Sequence, residues 1–234
     1  MLGTLARRFV NLANLAFGGG CYLCRGAARG VLCAECDADL PRLAGPLCPR
    51  CALASPAGQV CGRCLAQPPA YDATIAALAY EFPADVLVQA LKFRGELALA
   101  PVLGALLAAR LPRAARPDFV LPVPLSAARL RARGFNHALE IARTAAPGAR
   151  LAPRLAERSR DTAPQFELPL AERARNVRGA FRCAQALEGA EVALVDDVMT
   201  TGATLEELAA TLKRAGAARV VNWVVARTAA PAHA

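Results

Sequence analysis

Eight of the nine cysteines fall in four Cys-x-x-Cys turns within residues 21–64, and that pattern limits the fold more than any other feature of the chain. The pairs are Cys21 and Cys24, Cys33 and Cys36, Cys48 and Cys51, and Cys61 and Cys64, separated by 8, 11 and 9 residues. One such turn aims two thiolates at one ion, and two turns complete a tetrahedral four-sulfur site with no coordination position left for water. Four pairs this close together predict two structural zinc sites rather than redox dithiols. The matching gaps of 8 and 9 favour pairing the first turn with the second and the third with the fourth, while interleaved pairing stays open. Cys183 stands apart and reads as a small buried hydrophobe.

At 234 residues and 55% apolar, the chain has material for one full-sized domain and a small one. Residues 1–20 place Leu2, Leu5, Phe9, Leu12 and Ala16 near helical spacing, with Arg7 and Arg8 interrupting the apolar stretch. That predicts a short amphipathic helix docking on its own protein rather than a signal peptide, and argues against a secreted disulfide scaffold. No run reaches the roughly 18 apolar residues of a spanning helix, so a cytoplasmic protein with no membrane span is expected. The formal charge is +9, and residues 110–182 carry all of that surplus. A cationic middle implies an anionic partner. The cysteine module, by contrast, drops from +2 to about −2 once its thiolates bind two Zn²⁺, which makes it a poor tracker of nucleic-acid phosphates.

Beyond the Pro-containing linker LAQPPAYDA, strands alternate with helices. Strands are predicted at 74–80, 118–124, 191–196 and 219–226, and helices at 84–93, 96–111 with a kink at Pro101, 136–146 and 204–215, with an irregular Arg-rich stretch before 191. Such alternation predicts a mainly parallel sheet flanked by helices, with ligands at the carboxyl ends of its strands. The segment EVALVDDVMTTGATLEEL carries the most chemistry. Val192 to Val195 form a core strand, and Leu205, Leu208 and Leu212 the buried stripe of the next helix. Between them, Asp196 and Asp197 can accept hydrogen bonds from a vicinal diol. The turn Thr200, Thr201, Gly202, Ala203 and Thr204 offers hydroxyls and backbone N–H groups at a helix N-terminus, a place for a phosphate.

This segment closely resembles the type I phosphoribosyltransferase signature, which binds 5-phosphoribosyl 1-pyrophosphate (PRPP). The resemblance implies that Asp196 and Asp197 hold the ribose hydroxyls and that Met199 to Thr204 hold the 5-phosphate. Purine-salvage members carry an Asp where this chain has Thr200, which points away from purine salvage. Together with VLPVPLSAARLRARGFNHALEIAR (120–143) and RDTAPQFELPLAERARNVRGAFR (160–182), the pattern is very similar to the ComF family, including ComFC and GntX. In that family a Cys-rich zinc-ribbon module precedes a phosphoribosyltransferase-like α/β domain. The implied organisation is a short helix over 1–20, a double zinc ribbon over 21–66 and the phosphoribosyltransferase-like domain over 67–234. The resemblance further implies a pyrophosphate loop at Pro124, Leu125, Ser126, Arg129, Arg131 and Arg133, with Gly134, Phe135 and Asn136 beyond it. A flexible loop around Thr162, Gln165, Arg173 and Asn176 is implied to close over the substrate.

Guanidinium forks suit a diphosphate, and alternating Arg129, Arg131 and Arg133 would share one side of an extended loop, whereas a regular helix would splay them. Asn136 also stands in the place of an N-cap, and His137 is expected as a surface helix residue rather than a catalytic base. The function implied is binding of PRPP or ribose 5-phosphate with Mg²⁺, in a phosphoribosyltransferase whose acceptor and catalytic residues the sequence does not name. Amido transfer from glutamine is disfavoured, since no room remains for a glutaminase domain before residue 118. Family resemblance links such proteins to competence and the handling of single-stranded DNA; from charge and the few aromatic residues, any such DNA binding is expected to be weak, salt-sensitive and shared among Arg143, Arg150, Arg154, Arg158 and Arg160. The alternative is a non-catalytic adaptor that senses PRPP or a nucleotide and docks a competence helicase or another protein through its zinc ribbons. The ribbons and the ribose pocket are expected to have separate cores.

Overall fold

The computed structural model describes residues 19–160 and 175–230. The N-terminal helix expected over 1–20 falls almost wholly outside the described residues, and Thr162, Gln165 and Arg173 lie outside them too. The strands are β1 (Ala73–Ala79), β2 (Phe119–Pro122), β3 (Ala156–Arg158), β4 (Phe181–Cys183), β5 (Glu191–Met199) and β6 (Arg219–Arg227). The helices are α1 (Ala34–Ala38), α2 (Gly62–Ala66), α3 (Ala84–Arg94), α4 (Leu99–Ala108), α5 (Ala127–Arg133), α6 (His137–Ala145) and α7 (Ala203–Arg214).

Strands β1, β6, β5 and β2 lie side by side in that order, each pair parallel. Helices cover both faces, so the strands read as continuous apolar runs rather than alternating ones. Along β5 successive side chains nonetheless part company. Val192 and Leu194 pack with Leu205, Leu208 and Leu212 of α7, whereas Ala193 and Val195 pack with Leu87 of α3, Leu103 of α4 and Ile141 of α6. Helix α4 approaches α6 so closely that a Cβ on Gly104 would stand 2.7 Å from the Ile141 carbonyl oxygen. Pro101 does not kink α4, because the helix begins at Leu99 and its first-turn N–H groups have no intrahelical acceptor to lose. The Arg-rich stretch expected to be irregular holds the antiparallel pair β3 and β4, whose three-residue strands are too short to show a period of two.

The cysteine module is built twice. In each half a tight turn carries the first Cys-x-x-Cys, and the residue after it, Arg25 or Ala52, adopts a left-handed conformation with φ of 64° or 56°. In each half the second Cys-x-x-Cys opens a short helix, with Cys33 before α1 and Cys61 before α2. The two halves do not form a core of their own. Tyr22, Val31 and Leu40 belong to the apolar cluster of α3 and α4, while Cys48, Cys51 and Cys64 join that of α7 and Met199. The expectation of separate cores therefore fails. The reason is β1, the sheet's edge strand. Its outer side is paired by the ribbon backbone, through Leu43 N to Ala77 O (3.0 Å), Ala79 N to Pro41 O (2.7 Å) and Thr74 N to Pro49 O (3.0 Å).

Candidate phosphoribosyl site and metal centres

Strand β5 runs three residues past its predicted end, so the two acids sit within its last turns of pleat and beside α3 and α6. They differ sharply in surroundings. Asp197, with 3% of its side chain exposed, pairs with Lys92 Nζ at 2.8 Å and lies 3.4 Å from His137 Nε2. Burial works against its charge, but Lys92 and His137 outweigh it and hold the carboxyl well below the usual range. Asp196 keeps 14% of its side chain exposed to the cavity. Burial, and then the neighbouring Asp197 charge, push it up to about 8. The pair is thus one committed carboxylate and one available carboxyl, rather than two equal diol acceptors.

The turn after β5 is shaped for close backbone approach. Gly202 has φ of +87°, and a Cβ there would meet Met199 Cε at 2.7 Å and the Tyr71 hydroxyl at 3.3 Å. Thr201 Oγ1 accepts from Ala203 N at 3.3 Å, closing the turn, and Ala203, Thr204 and Leu205 of the first turn of α7 line the cavity. Glu206, the acid in that first turn, is turned away to accept from Ala70 N.

A cavity of about 520 Å³ joins these parts, a volume in the range of small-molecule sites. Of the residues singled out in the sequence, Asp196, Asp197, Met199, Thr200, Thr201, Gly202, Ala203, Thr204, Leu125, Arg129 and Arg133 line it. The expected extended loop at 129–133 is instead α5. Ser126 caps it, its Oγ accepting from Arg129 N, and Gly134 ends it in a left-handed conformation. Helical spacing puts Arg129 and Arg133, four apart, on the cavity side and turns Arg131 off it. Asn136 caps α6, accepting from Ala138 N and Leu139 N while donating to Val123 O, so its observed work is to position the chain. Arg158 is buried over the Phe181 ring and lines the cavity, which removes it from any exposed track for DNA.

His137 overturns its expectation: it is buried and central, with Nδ1 2.8 Å from Arg133 Nη1. Burial lowers its pKa even though Asp197 opposes the shift. Lys92 is absent from the sequence-derived set because it comes from a helix over a hundred residues away. One signal was available, since Lys92 and Lys213 are the only lysines in a chain that otherwise uses Arg, and each makes a short carboxylate pair. A compact ammonium on a flexible stem fits a narrow buried gap that a planar guanidinium does not.

Two four-cysteine groups assemble, Cys21, Cys24, Cys33 and Cys36 in one and Cys48, Cys51, Cys61 and Cys64 in the other, which settles the pairing as sequential. A tetrahedral zinc with bonds of about 2.3 Å places neighbouring sulfurs about 3.8 Å apart. The Sγ separations of Cys24 to Cys33 and Cys51 to Cys61 are both 3.7 Å, so each donor set fits zinc. Among the described residues no helix is long and apolar enough to cross a membrane.

The fold and site define a double zinc ribbon built onto a parallel α/β domain, with a glycine turn at a helix N-terminus opening on a cavity. Residues 12–65 match the double zinc ribbon domain family. The chain is 35% identical to DNA utilization protein YhgH of Salmonella typhimurium over 222 residues, covering 90% of this chain and 97% of that one. It is 30% identical to Competence protein F of Haemophilus influenzae over 223 residues, covering 88% and 96%. The chain belongs to the family of these DNA utilization and competence proteins. Among solved structures, a purine phosphoribosyltransferase from Pyrococcus horikoshii aligns over 66% of this chain and 87% of that one, at 17% identity and a TM-score of 0.29. A likeness that loose adds nothing to the reading of the site.

Proposed function

We propose that the cavity binds PRPP or ribose 5-phosphate together with Mg²⁺, in a protein that serves the uptake or processing of single-stranded DNA. The observation that carries this reading is the convergence on one cavity of Asp196, the turn Thr200 to Thr204 at the head of α7, and the two guanidinium groups of Arg129 and Arg133. A ribose hydroxyl donates to Asp196, the 5-phosphate takes the amides of the turn, and the diphosphate lies toward α5. Mg²⁺ bound with the diphosphate would offset its charge. In transfer, the bond from C1 to the diphosphate breaks, the electron pair leaves with pyrophosphate, and Arg129 and Arg133 stabilise that charge while an acceptor bonds to C1 and gives up its proton. The names of the relatives, with their reference to DNA utilization and competence, support the cellular setting.

Calorimetry with PRPP and with ribose 5-phosphate tests the reading. Binding that Asp196→Asn weakens is the expected result. No measurable binding of either compound by the parent protein, with or without Mg²⁺, would overturn it. Incubation with PRPP and a panel of bases, amines and single-stranded DNA then separates transfer, which releases pyrophosphate, from sensing by an adaptor, which does not.

A further inference from the structure

The back of the phosphate turn rests on the second metal centre. Arg227 ends β6 with 2% of its surface exposed, so its guanidinium must find every partner inside the protein. Its Nε donates to the carbonyl of Cys51 at 2.8 Å, and its Nη1 to the carbonyls of Met199 at 2.8 Å and of Thr200. Cys51 belongs to the second four-cysteine group, and Met199 and Thr200 open the turn. The direction of the Cys51 carbonyl is fixed by the left-handed residue that follows it, Ala52, whose N–H closes the knuckle onto Cys48 O at 2.9 Å.

Two more contacts come from the segment that leaves Cys64. The buried Tyr71 places its hydroxyl against Gly202, and Ala70 N donates to both oxygens of Glu206 at 2.9 and 3.1 Å. Among the described residues, the first four-cysteine group has no comparable path to the turn. Its neighbours Tyr22, Val31 and Leu40 pack on α3 and α4, and Arg94 of α3 donates to the Tyr22 hydroxyl at 2.9 Å.

We infer that the second metal centre sets the shape of the phosphate turn through Arg227, a positioning residue, so that metal occupancy at Cys48, Cys51, Cys61 and Cys64 governs the affinity of the site for ribose 5-phosphate. The affinity part rests on the functional reading above, whereas the structural part does not. With metal bound, one ion draws the four sulfurs together and offsets half of their charge, and the knuckle holds the Cys51 carbonyl toward Arg227. Without it nothing draws the four sulfurs together, the carbonyl loses its fixed direction, and the guanidinium keeps only its bonds to Met199, Thr200 and Thr228.

Hydrogen exchange on the ligand-free, zinc-loaded full chain tests the structural part. Cys61→Ser should lose one zinc and speed exchange at residues 199–204, while Cys24→Ser should lose one zinc and speed exchange around residues 20–40. Arg227→Lys should keep both zincs and the slow exchange of Val192 to Val195, yet speed exchange at 199–204, because an ammonium has no fork to span three carbonyls. Should Cys61→Ser not fold, stepwise withdrawal of zinc from the parent protein gives the same comparison. Calorimetry with ribose 5-phosphate then expects a loss of about tenfold or more in Arg227→Lys, with both zincs still bound. Parental exchange at 199–204 in Arg227→Lys, or equal loosening of that segment from either metal centre, would overturn the inference. A parent protein that shows the exchange pattern but binds no ribose 5-phosphate would leave Arg227 as the tie to the metal and reject the affinity it was to govern, together with the functional reading.

Discussion

Arg133 donates to Nδ1 of His137 across 2.8 Å, and because a guanidinium has no acceptor, that bond fixes the tautomer of the ring. Nδ1 carries the lone pair, so the proton sits on Nε2, which faces Asp197 Oδ2 at 3.4 Å and Asp196 Oδ1 at 3.9 Å. A guanidinium of α5 is thereby connected to the acid pair of β5 through one neutral imidazole. His137→Ala should free Arg133 and weaken pyrophosphate binding by about tenfold, the value of one lost bond to a charged group. Calorimetry with pyrophosphate checks this, and unchanged affinity would show that Arg133 needs no holder.

The two acids should respond oppositely to amidation. Asp197→Asn leaves the Lys92 ammonium without its carboxylate and should cost about 3 kcal/mol, the low end for a broken buried pair because 27% of the Lys92 side chain stays exposed. Asp196→Asn removes a carboxyl whose ionisation burial already opposes, so thermal stability should hold while ribose 5-phosphate affinity falls. Thermal denaturation beside calorimetry separates the two outcomes.

Because Asp196 is pushed up to about 8, it is largely protonated at neutral pH in the free protein. A sugar hydroxyl or a divalent cation favours the carboxylate form, lowers that pKa and expels the proton. Binding at pH 7 should therefore release close to one proton, and binding at pH 9 almost none. The sign for folding follows the same group. The native state holds this proton between the ordinary carboxylate range and about 8, while the unfolded chain does not, so the Asp196 contribution to stability falls as pH rises through that window. Calorimetric titrations in buffers of different ionisation enthalpy count the protons directly.

On α5 the three arginines should separate by face. Arg129→Ala and Arg133→Ala should each lower diphosphate affinity, and Arg131→Ala should change it less than twofold, as for an exposed charge off the cavity. Equal losses at all three positions would mean that the segment abandons its helix when ligand binds.

Zinc should be present at about two per chain, and its removal should shift the unfolding of the whole chain rather than of a detached module. The shared clusters, with Leu40 and Leu78 in one and Cys51 and Met199 in the other, leave the ribbons no separate unfolding unit. Differential scanning calorimetry with and without chelator checks for one transition or two.

What the sequence made legible was local. A Cys-x-x-Cys turn, or a strand and acid pair followed by a Gly turn and an amphipathic helix, carries its geometry within a dozen residues, and both appear where they were expected. What stayed hidden depends on meetings between distant segments. Lys92 reaches Asp197 across 105 positions of chain, and Arg227 reaches Cys51 across 176. The period of two at 129–133 misled because Ser126 and Gly134 delimit a short helix there, and those end signals outweigh the alternation. His137 looked like a surface residue because its helix had no visible partner until α6 lay beside β5.

The pairing of residues 41–49 along the outer side of β1 also has a consequence during synthesis. The ribbons leave the ribosome before β1 does, so their cysteines can take up zinc before the strand they cover emerges. In zinc-starved cells the same strand would emerge with its row of amides bare, open to the growing chains of neighbouring ribosomes. Zinc supply would then set the yield of recoverable protein, before any question of ligand arises.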